Sequence, residues 1–115
     1  MNNSWFGVEP RADGTVVVAA QTDERLNVER LEGVHAEAPA VVQFVRERSR
    51  SPRICIAAIG AGALALALAL GELPEAEVIL LRPAALPAAG QAAARQPASD
   101  DTTAIALARY ARRAA

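Results

Sequence analysis

Gly60-Ala-Gly62-Ala-Leu-Ala65 is the stretch of this sequence whose spacing most directly suggests a ligand. It follows the strand-like run Ile54-Cys55-Ile56-Ala-Ala-Ile59 and opens an Ala/Leu segment of strong helix propensity. That context suits the G-x-G-x-x-G/A turn, in which backbone amides at a helix N-terminus receive a pyrophosphate. Arg82, closing the next strand, could pair with a 2′-phosphate, so this reading assigns Gly60, Gly62 and Arg82 to a dinucleotide. Against it, no acidic residue ends that next strand, and three strands and a helix precede a motif that normally follows the first strand. Close packing of helix on sheet through small side chains explains the same glycines.

Other residues offer less. Arg109, Arg112 and Arg113 share a helix face at i, i+3, i+4 spacing and are possible DNA contacts through phosphate, although arginines also suit a helix C-terminus. His35 follows Gly33 in a loop with no partner at a triad spacing and reads as a surface residue. Cys55 is the single cysteine, so it has no internal disulfide, and no metal-ligand spacing surrounds it. It is expected to be an inert core thiol.

The elements that must position these groups follow from periodicity and breakers. Ser4–Val8 and Thr15–Ala20 read as strands joined at Asp13-Gly14, a pair suited to positive φ. Arg25–Leu31 alternates and reads as a third, less buried strand. Pro39 opens a helix over 38–49 with Val41, Phe44, Val45 and Arg48 on one stripe, and Ser51-Pro52 stops it. Strand Arg53–Ile59, helix Ala61–Leu70 and strand Glu77–Leu81 follow. Residues 83–98 are rich in Ala, Pro and Gly and read as a mobile surface loop. Ser99 caps a last helix, with Asp100 and Asp101 in its first turn and Ala104–Arg113 completing it. The order is β-β-β-α-β-α-β-loop-α, a mixed sheet with helices to cover it, in a single domain spanning 1–115.

Composition bounds the partners. A net charge of −1 excludes a wholly basic nucleic-acid binder. With 52% hydrophobic residues but only 3% aromatic, Ala, Val and Leu must fill the core. Ile54–Leu70 carries no charge, but it falls short of the roughly 20 residues that cross a bilayer and is interrupted by Gly60 and Gly62. The start MNNSWFGVEP lacks the basic and apolar regions of a secretory signal, so a cytoplasmic location without membrane association is expected. The second helix carries Leu64 and Leu68 on one face and Leu66 and Leu70 on another. A sheet of this size covers one face, so a homodimer through Leu66 and Leu70 is expected.

The order of elements and several short motifs resemble the N-terminal RuvC-like (DEDD) domain of IS110-type transposases, relatives of pilin-gene invertases. Gly7-Val8-Glu9 resembles that family's Gly-Val-Asp. Ile54–Gly60 resembles its strand ending Glu-Ala-Thr-Gly, and Leu64–Gly71 with Val78–Pro83 its next helix and strand. Ser99-Asp100 with Leu107-Ala108-Arg109-Tyr110-Ala111 resembles its Lys-Thr-Asp-x-x-Asp-Ala…Leu-Ala-x-Tyr helix. The resemblance implies a ribonuclease-H-like fold and a role in DNA transposition or recombination. In that family four carboxylates hold divalent metals for phosphodiester chemistry. Carried over by position, Glu9 and Asp100 are the catalytic acids that remain, while Ala57 and Thr103 stand where the other two belong. The expectation is a catalytically impaired domain acting through DNA or protein, with no cofactor, Mg²⁺ being the ion for any site that still works.

Overall fold

A computed structural model describes residues 4–58, 60–82 and 102–113. Strands β1 (Trp5–Pro10), β2 (Val16–Gln21) and β3 (Leu26–Leu31) form an antiparallel meander. The first turn is built on Gly14 at φ +88, whose N–H donates to the Arg11 carbonyl at 3.0 Å. In the second, the Thr22 hydroxyl accepts the N–H of Arg25 at 3.0 Å. A 3-10 turn at Gly33–Ala36, which periodicity does not reveal, carries His35 and leads into α1 (Ala38–Arg48). Then come β4 (Arg53–Ala57), α2 (Gly60–Gly71), β5 (Glu77–Leu81) and α3 (Thr102–Arg113). β4 pairs parallel with β1, and β5 with β4, so the sheet order is β3-β2-β1-β4-β5 and β1 lies at its centre. The expected mixed α/β class is present, a five-stranded mixed sheet with three α-helices among the described residues and β3 at an edge.

Alternation along the strands divides the core in two. Phe6, Val8, Val16, Val18, Ile54 and Ile56 lie under α1 and α2, where they meet Val41, Val45, Ala63, Leu66 and Leu70. Trp5, Cys55 and Ala57, with Val17 and Ala19, lie on the opposite face under Ala104, Leu107, Ala108 and Ala111 of α3. Helices therefore cover both faces, and Cys55 is buried. No helix among the described residues is long and apolar enough to cross a membrane.

Three expectations need correction. β1 runs on through Pro10, so Glu9, outside the expected strand Ser4–Val8, is a strand residue paired with Val17, because β2 is long enough to hold it. Leu66 and Leu70 are in the core, 4% and 0% exposed, whereas Leu64 and Leu68 face outward. The faces are reversed because Ala63, Leu66 and Leu70 form the continuous stripe that meets the sheet, so Leu66 and Leu70 cannot form a dimer surface. Finally, Gly60 and Gly62 are exposed, and a Cβ at either would meet nothing within 4 Å, so close packing does not require them. Gly60 instead supplies φ +73 at the start of α2. The expected loop at 83–98, the Ser99 cap and Asp100 lie outside the described residues.

The glycine that packing does require is Gly7. A Cβ there would overlap the Ala104 carbonyl oxygen and lie 2.5 Å from the Ala108 nitrogen, so the α3 backbone rests directly on β1. Gly7→Ala is therefore expected to cost about 2–3 kcal/mol or more through overpacking against backbone. Gly62→Ala, in open space on a helix, is expected to stabilise by about 0.5–1 kcal/mol. Urea unfolding of both variants checks the contrast, and equal effects would contradict it.

Burial pushes the Cys55 thiol pKa up to about 12. It is thus expected to stay unmodified by a thiol reagent at neutral pH while the protein is folded and to react once it is denatured, as mass spectrometry would show.

Candidate functional site

The C-terminal ends of β1 and β4 meet one face of α3. Val8 pairs with Ile56, and one further step in this register sets Glu9 beside Ala57. Ala57 pairs with Leu81 and Glu9 with Val17, so the row Val17, Glu9, Ala57, Leu81 crosses the sheet with Glu9 as its one charged member. α3 runs antiparallel to β1. Its Ala104 and Ala108 lie over Gly7, and the Arg112 guanidinium lies 5.0 Å from the centre of the Trp5 ring at the far end of the strand. The first turn of α3, with Thr103, therefore points toward the Glu9 end. Two strand ends and a helix start thus converge where the sequence places Glu9, Ala57 and Thr103.

Glu9 is not an open carboxylate. Its Oε1 accepts Nε–H and Nη2–H of Arg11 at 3.0 and 2.9 Å, and its side chain is only 13% exposed. Arg11 is held by the turn that follows β1, where its N–H donates to the Thr15 carbonyl at 2.8 Å. Asp13 stiffens that turn, accepting from the Thr15 hydroxyl at 2.6 Å and from Arg30 at 3.2 Å. The two hydrogen bonds from Thr15, ahead of the nearby arginine charges, hold the Asp13 carboxyl below the usual carboxylate range. Residue-type reasoning missed Arg11. Its signal was the Glu-x-Arg spacing, which lets a long side chain just past a strand end reach back to the acid two residues earlier.

A guanidinium satisfies the carboxylate here, and the neighbouring Ala57 methyl offers no second ligand. Among the described residues, no three His, Cys, Asp or Glu side chains gather as a metal site. Asp100, the second expected acid, lies outside the described residues.

The other predicted groups lie elsewhere. Arg109 and Arg113 are exposed on α3. Arg112 also has a structural role, stacking on Trp5 and reaching Asp23 at 3.5 Å. Gly60 and Arg82 flank the β4–α2 junction, where the Ala58 N–H donates to the Leu81 carbonyl at 2.8 Å and brings the end of β5 against it. A separate groove between α1 and α2, lined by Pro39, Val42, Arg46 and Leu73, lies on the opposite side of the sheet from Glu9.

The Glu9–Arg11 pair is partly buried, so its partners depend on one another. In a double-mutant cycle with Glu9→Gln and Arg11→Gln, urea unfolding is expected to give a coupling of about 1 kcal/mol. Arg11→Gln alone should be the more damaging single change, because it strands a shielded carboxylate. Additive single effects would show that the pair is not coupled. Compared with known proteins, the chain matches no family model and no curated protein.

Proposed function

We propose that this chain is a ribonuclease-H-like, RuvC-related domain of the transposase type that has lost metal-dependent strand cleavage and acts by binding DNA or protein. The observation that carries the reading is the convergence of Glu9, Ala57 and the start of α3 at one end of a sheet built as an antiparallel meander extended by parallel strands. This is the arrangement expected from the resemblance in the sequence, in which the family's carboxylates come from two strand ends and a helix. Two-metal phosphodiester chemistry needs several carboxylates to hold the ions. Here the strand-end position next to Glu9 carries a methyl group, and Arg11 supplies the positive charge that a metal would otherwise bring. Asp100 is the remaining acid of the proposed vestigial site. Exposed Arg109 and Arg113 are the groups proposed to meet phosphate, with Arg112 partly committed to Trp5 and Asp23.

A dinucleotide site at Gly60, Gly62 and Arg82 is the second reading, and it is favoured by the hydrogen bond that draws the end of β5 to the β4–α2 junction. It is the weaker one, because no acidic side chain ends β5 to hold a ribose.

Titration separates the two. Salt-sensitive DNA binding by fluorescence anisotropy, weakened about tenfold in Arg109→Glu with Arg113→Glu, is the expected result. No cleavage of linear or branched DNA should occur with Mg²⁺ or Mn²⁺. Cleavage lost in Glu9→Gln would overturn the impairment. Saturable NADP binding lost in Gly62→Arg, without DNA binding, would favour the second reading.

A further inference from the structure

We draw no further inference here: the strongest candidate, the open groove between α1 and α2 lined by Pro39, Val42, Arg46 and Leu73, is a mainly apolar surface, and nothing in the structure shows what covers it.

Discussion

The close approach of α3 to the centre of the sheet is the constraint on which the rest of the structure depends. Gly7 lacks the one atom that would hold the helix away, and Ala104 and Ala108 present the smallest side chains to it. The gain is contact between backbones, which suits a chain with few aromatic residues to fill wider gaps. Around that contact the larger groups act as clamps. Leu107 is fully buried on the sheet, and Trp5 is shielded at one end of the strand, where Arg112 stacks on it.

Such packing makes β1 the most interconnected element. It pairs antiparallel with β2 and parallel with β4, and it carries core residues on both faces, Phe6 and Val8 toward α1 and α2, Trp5 and Gly7 toward α3. The proposed site inherits its geometry from this strand. Glu9 projects on the α3 side because it shares the parity of Gly7, and Glu9 and Ala57 are the residues that follow the last β1–β4 pair, Val8 and Ile56. The same burial that brings the two together would make an unpaired carboxylate costly, and the Arg11 guanidinium removes that cost locally.

The sheet's two halves handle their edges in opposite ways. On the meander side, charges on β3 are tied into pairs with α1 and with the first turn. On the parallel side, Glu77 at the start of β5 pairs with Arg53 at 3.1 Å, and the rest of β5 and α2 carry apolar side chains outward as well as inward. An all-Ala/Leu helix has no polar stripe to mark its outer face, so only its neighbours decide which leucines are buried.

Much of the architecture was legible in the residues. Alternation in Val16–Ala20 and Leu26–Leu31, the Asp13-Gly14 turn, Pro39 and the Ser51-Pro52 stop each act locally, so the order of elements and most of their bounds followed from short-range sterics and periodicity. The burial of Cys55 was legible for the same reason, since its whole neighbourhood is apolar. Tertiary structure alone decided which strands are neighbours, and therefore that Glu9 stands beside Ala57. It also decided that Glu9 belongs to a strand, because β2 extends far enough to pair with it. The leucines of α2 could not be assigned from sequence, because Leu64, Leu66, Leu68 and Leu70 are chemically identical and alternate around the helix. Their burial depends on the direction from which the sheet and α1 approach. Gly7 makes the same point. As a residue it suggests only conformational freedom, and its actual use, leaving room for the backbone of a helix about a hundred residues later, exists only once the chain has folded.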